Sequence, residues 1–174
     1  NWAAIVTLDS TYKLDPINMN DFTPEQEELV LGVQANLWCE LLDRPARFLE
    51  YQYFPRLCAL AETAWTQPEL KDYDNFWNRI TASHYDRMYN MGIKFRLPFP
   101  EVVYEDNTLK VTSPYEGAEI SYTTDATEPT LSSDIWKGDI KTDEPEKYRF
   151  ATFYKDFNQS IAVGASNIDL YHYL

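Results

Sequence analysis

The chain has 174 residues, room for one medium domain or two small ones, and at 44% hydrophobic and 16% aromatic it can build a core. Its 28 acidic and 15 basic residues leave a net charge of −13, which argues against nucleic acid and against an anionic membrane surface as partners, since both would repel it. The two cysteines, Cys39 and Cys58, do not make a disulfide framework and are read as free; with only His84 and His172, far apart, no metal site and no cofactor is expected.

No signal peptide or transmembrane run is present, and Asn1 is not an initiator methionine, so the chain is expected to begin mid-protein. Residues Trp2 to Leu8 are apolar and β-leaning, followed by polar Asp9-Ser10-Thr11, and predict a short strand or a long loop. Thr23-Pro24-Glu25-Gln26 predicts a short helix ending near Glu28. Thr23 caps it, Pro24 takes the first helical position and Gln26 closes a capping box.

Leu29 to Leu37 is mostly apolar and predicts a strand buried on both faces, as in a parallel sheet. It runs into Trp38-Cys39-Glu40. Residues two apart on a strand share a side, so Gln34, Asn36, Trp38 and Glu40 would face one polar mouth. Trp38 offers a flat apolar face and Glu40 an acceptor pair. That suits a sugar, whose ring stacks on indole while its hydroxyls donate to carboxylate. The plainer reading of the same residues is a buried tryptophan and a solvated strand-end charge.

Asp43 caps the next predicted helix, with Pro45 in its first turn. The apolar set Phe48, Leu49, Phe54, Leu57, Cys58, Leu60, Ala61, Ala64 and Trp65 has helical spacing, and Pro55 should kink or break it. Arg56 is read as structural, bonding carbonyls freed by that proline or a carboxylate. Gln67-Pro68-Glu69 predicts a break. Asp72 then caps a helix carrying Phe76, Trp77, Ile80, Tyr85, Met88 and Met91, which Gly92 ends in a left-handed cap.

Leu97-Pro98-Phe99-Pro100 predicts a stiff linker and a domain boundary. Beyond it the pattern changes to period two. Strands are predicted at Val102–Tyr104, Leu109–Thr112, Glu119–Thr123, Tyr148–Tyr154 and Ser160–Ala165, with turns at Glu105-Asp106-Asn107 and Tyr115-Glu116-Gly117. Short antiparallel strands at this spacing predict a small β-sandwich. The expected fold class is therefore α+β.

Two stretches carry a family resemblance. Gly32 to Glu40, followed by Phe54-Pro55-Arg56 and Ala59-Leu60-Ala61-Glu62-Thr63-Ala64-Trp65, resembles the end of the catalytic domain of the β-N-acetylhexosaminidases in family 20 of the glycoside hydrolases. Tyr12-Lys13-Leu14-Asp15-Pro16 is similar to the stretch before that domain's last strand. Ile120 to Thr130 resembles the Tyr-Thr-Thr-Asp-Gly-x-x-Pro signature of the chitobiase/hexosaminidase C-terminal domain, with Ala126 in place of the usual glycine. If that position requires a positive φ, alanine costs about 1 kcal/mol and the turn would shift.

The resemblance implies that residues 1–96 are the last part of a (β/α)8 barrel and that residues 97–174 are an immunoglobulin-like antiparallel sandwich. A complete barrel needs about 250 residues and cannot fit here. The resemblance places Trp38 in the wall of the −1 sugar pocket and Glu40 on sugar hydroxyls remote from the anomeric carbon. It implies a secreted or periplasmic, bacterial, exo-acting enzyme acting on N-acetylhexosamine-containing glycans. Family enzymes use the substrate's own 2-acetamido oxygen as nucleophile, assisted by an adjacent Asp-Glu pair at the end of an earlier barrel strand. Glu27-Glu28, Glu105-Asp106 and Asp143-Glu144 do not meet that description. The catalytic pair is thus expected upstream, no catalytic residue is assigned here, and the chain alone is expected to be inactive. The alternatives are a non-catalytic carbohydrate-binding or structural module, with an exposed aromatic row among Tyr148, Phe150, Phe153 and Tyr154, and a self-contained enzyme using Glu40 with another acid.

Overall fold

A computed structural model describes residues 6–18, 21–37, 46–156 and 158–165. They combine helices with antiparallel sheet in two compact units, Asn1–Phe95 and Arg96–Leu174.

The first unit is helical. Most of the strand or loop predicted from Trp2 to Leu8 lies outside the described residues, and Leu8–Tyr12, which the sequence did not mark as a helix, forms α1 because Thr7 caps it: its hydroxyl accepts the Ser10 N–H at 3.1 Å. Pro24–Glu27 forms α2 with the expected reciprocal box, the Thr23 N–H donating to Gln26 Oε1 at 2.9 Å. Residues 31–37, in contrast, form no strand, and Leu29 (75% exposed) and Leu31 (fully exposed) are not buried. An apolar run becomes a strand only when neighbours complete its ladder. No described residue pairs with this one.

Ala46–Tyr53 (α3) and Arg56–Trp65 (α4) are separated at the cis Phe54-Pro55 bond, the break that Pro55 predicts. The expected Asp43 cap lies outside the described residues. A single 3₁₀ turn at Pro68–Leu70 leads to α5, Tyr73–Arg79, where Asp72 Oδ1 accepts the Asn75 N–H at 3.0 Å. A π turn, Ile80–His84, joins α5 to α6, Tyr85–Asn90. The buried residues explain it. Phe76, Ile80, Tyr85 and Met88 all face the core, yet Ile80 and Tyr85 are five positions apart, and an ideal α-helix would carry the second well off the face of the first. The wider turn realigns them, and the Thr81 hydroxyl donates to the Trp77 carbonyl at 3.1 Å. Gly92, at φ 71°, ends the helix as predicted. Its N–H donates to Tyr89 O at 2.9 Å and the Ile93 N–H to Met88 O at 3.0 Å, the paired bonds of a Schellman cap.

The second unit is antiparallel sheet. β1 (Glu101–Glu105), β2 (Thr108–Thr112) and β5 (Ile140–Lys141) form one sheet in the order β1-β2-β5. β3 (Glu119–Thr123), β4 (Asp134–Ile135), β6 (Arg149–Tyr154) and β7 (Asn158–Gln159) form the other, in the order β4-β3-β6-β7. Leu109 and Val111 from the first sheet share a buried cluster with Ile120, Phe150 and Val163 from the second. Two-residue strands such as β4 and β5 carry no periodicity and were not predictable.

Local chemistry explains the turns. Asp106 and Asn107 sit at φ 50° and 54° between the paired residues Glu105 and Thr108, so β1 and β2 close on a two-residue loop whose handedness matches strand twist. Ala126 does adopt a positive φ, 63°, a left-handed conformation that disfavours a residue with a Cβ. The Asp125 carboxylate accepts from both the hydroxyl and the N–H of Thr127, and these bonds hold its pKa below the ordinary carboxylate value.

The Leu97-Pro98-Phe99-Pro100 stretch packs into the second unit: Leu97 and Pro100 are fully buried, and Leu97 bridges to Ser160. One prediction of extent is corrected. Ser160–Ala165 is not a continuous strand. Ser160 pairs opposite Thr152 and Val163 opposite Phe150, so three steps on one side face two on the other, a β-bulge. The Thr152 N–H donates at 2.9 Å to the Ser160 hydroxyl there. The aromatic row expected of a binding module is not exposed, since Phe150 and Phe153 are core residues.

Candidate functional site

Trp38 and Glu40 lie outside the described residues, as does Cys39, and so does any geometry of the sugar site they predict. Their sequence neighbours are described. On the approach, Gln34 and Asn36 are exposed, and because 31–37 is not a strand, the shared-side argument linking them to Trp38 and Glu40 does not hold there.

Beyond the site, α3 and α4 follow, and Arg56 spans their junction. Its guanidinium donates to the Gln52 carbonyl, to Gln52 Oε1 at 3.1 Å, and to the Val6 carbonyl at 3.3 Å. Arg56 thus satisfies carbonyls, as expected of a structural residue. Cys58 follows on α4, and burial pushes its thiol above the usual value, which disfavours the reactive thiolate.

The sequence reading missed Lys71. Its ammonium donates to the Tyr12 carbonyl at 2.5 Å, to Thr63 Oγ1 at 3.2 Å and to the Leu14 carbonyl at 3.3 Å, and it lies 4.8 Å from the Tyr12 ring centroid. The Thr63 hydroxyl donates to the same Tyr12 carbonyl at 3.3 Å. Lys71 therefore fastens the Tyr12–Leu14 backbone to α4. The Tyr12 ring is 4% exposed and packs 4.8 Å from Phe76. Burial, then the Glu62 carboxylate, raise its pKa. After it, the Asp15 carboxylate accepts the N–H groups of Ile17 and Asn18 at 3.1 and 2.9 Å, which shapes the turn at Pro16. A lone lysine before a helix cap has no sequence signal to mark it as the centre of such a knot.

No group of three or more potential metal ligands occurs among the described residues, and none of their helices is long and apolar enough to cross a membrane.

The model of the glycosyl hydrolase family 20 catalytic domain matches residues 1–68, and that of the chitobiase/β-hexosaminidase C-terminal domain matches residues 100–164. The chain therefore joins a segment of the family 20 catalytic domain to the C-terminal domain of chitobiases and β-hexosaminidases. Among individual proteins, it is 33% identical over 134 residues to a β-hexosaminidase of Porphyromonas gingivalis, covering 72% of this chain and 17% of that protein. It is 36% identical over 89 residues to a β-N-acetylhexosaminidase of Cellulomonas fimi, covering 50% of this chain and 17% of that protein. A human β-hexosaminidase subunit β is 34% identical over 82 residues, covering 47% and 14%. The chain thus spans less than a fifth of the length of these relatives.

Proposed function

We propose that this chain is the C-terminal part of a retaining, substrate-assisted exo-β-N-acetylhexosaminidase that removes terminal N-acetylglucosamine or N-acetylgalactosamine from glycans. The observation that carries this reading is the order of the two family matches, catalytic segment and then C-terminal domain, within one chain. On this reading residues 1–96 are the end of a (β/α)8 barrel and residues 97–174 an immunoglobulin-like sandwich. The parent is bacterial and secreted or periplasmic. Trp38 walls the −1 sugar pocket, Glu40 binds sugar hydroxyls, and the catalytic Asp-Glu pair lies upstream.

This chain alone should not turn over an aryl N-acetylglucosaminide. Turnover above background that disappears in Glu40→Gln would overturn the assignment of catalysis to an upstream pair. In the full-length parent, Glu40→Gln should lower kcat/KM by about tenfold to a hundredfold, the cost of one charge-assisted bond. An unchanged kcat/KM would remove Glu40 from the site.

A further inference from the structure

The second unit carries a groove that the reading above leaves unused. It holds about 780 Å³ and lies where the chain passes from β4 to β5, the edge strands of the two sheets. Tyr122, Ser133, Asp134, Lys137, Asp139 and Ile140 are among its lining residues. The Tyr122 ring is held in place: it stacks on Tyr148 at 6.2 Å and 14°, and on Phe150 at 5.7 Å. A ring fixed by the core pays little ordering entropy when a ligand arrives. Asp134 and Lys137 are exposed and, among the described residues, have no side-chain hydrogen bond or ion pair, although both line one groove.

A rigid aromatic ring beside unspent donors and acceptors of both signs has the chemistry to hold a neutral polyhydroxylated ligand. Hydroxyl and amide protons donate to Asp134 and Asp139, ring and carbonyl oxygens accept from Lys137, and the C–H face packs on Tyr122. A polyanion would meet two carboxylates and a net charge of −13. A purely apolar ligand would strand three charges without water. We propose that this groove binds a glycan, and that its ligand is a short run of N-acetylhexosamine units. The identity of the sugar rests on the function proposed above, whereas the site rests on the groove.

The test is titration of the 174-residue chain with the β-1,4-linked N-acetylglucosamine trimer, followed by amide NMR. Saturable shifts centred on Tyr122 and residues 133–140 are expected. The double variant Lys137→Ala/Asp139→Ala, at exposed positions, should keep the wild-type amide spectrum elsewhere and weaken binding about tenfold or more. Absence of saturable shifts in the groove at millimolar trimer would overturn the proposal and leave the charges as edge protection against strand pairing. Shifts near residues 38–40 alone would also overturn it while supporting the sugar site at Trp38 and Glu40. Full binding by the double variant would overturn the assignment to these side chains. Failure of the full-length parent to hydrolyse N-acetylhexosaminides would remove the proposed function without touching the groove, because the titration reads binding in this chain.

Discussion

The two units solve the burial problem differently. In the second, both sheets contribute to one core, and Leu109, Ile120 and Phe150 lose all or nearly all contact with water. Its strands find their ladder partners within residues 101–159. In the first, Tyr12 packs on Phe76 and Tyr85 on Phe95, all four well buried, yet Trp65 is 89% exposed and Leu31 wholly so. Residues 31–37 have no ladder partner among the described residues. The comparison teaches that the second unit is closed on itself, whereas the first depends on side-chain fastenings such as Lys71 and Arg56 to hold loops against helices.

The sharpest way to break this comparison is at the closed core. Phe150→Ala should destabilise the second unit by about 3–5 kcal/mol, the cost of a large aromatic truncated at a fully buried site. Denaturant unfolding followed by amide exchange in β3 and β6 would measure it. A loss under about 1 kcal/mol would mean that the core does not depend on the cluster that both sheets share.

A smaller effect is expected at the first unit's fastening. Lys71→Met keeps the aliphatic stem but removes the donor to Tyr12 O, Leu14 O and Thr63 Oγ1. It should cost about 1.5–3 kcal/mol, the range for hydrogen bonds to a charged group. Faster exchange of amides in α1 with β6 unchanged is the expected signature, and equal loosening of both units would contradict the division drawn here.

The smallest effect is a gain. Ala126 occupies a left-handed backbone conformation at φ 63°, which disfavours any residue with a Cβ. Ala126→Gly should raise the stability of the second unit by about 0.5–1 kcal/mol, strain relief offset in part by glycine's larger unfolded-state entropy. A fall in stability would show that neighbouring contacts outweigh the backbone preference.

Much of the local architecture was legible without coordinates. Thr23 with Gln26, Asp72 with Asn75, Pro55, Gly92, and the Asp106-Asn107 pair each act over a few residues through capping, a missing donor or a tolerated φ, so residue identity suffices to place them. The Trp38–Glu40 pairing was legible as sugar chemistry, but its geometry falls outside the described residues. Tertiary structure decided the rest. The apolar run at 29–37 reads as a strand because burial is assumed, and strand formation needs partners that spacing cannot supply. β4 and β5 exist only because β3 and β2 receive their two-residue ladders, and the bulge before Val163 exists because Ser160 bonds with its hydroxyl. The five-residue step from Ile80 to Tyr85 becomes a π turn only because both side chains must reach one core. Lys71 became a hub because the Tyr12 and Leu14 carbonyls, 59 and 57 residues away, converge with the nearer Thr63 hydroxyl on its ammonium. Sequence determines what a residue can do with its neighbours along the chain, whereas burial, ladders and convergent hydrogen bonds depend on groups that only folding brings together.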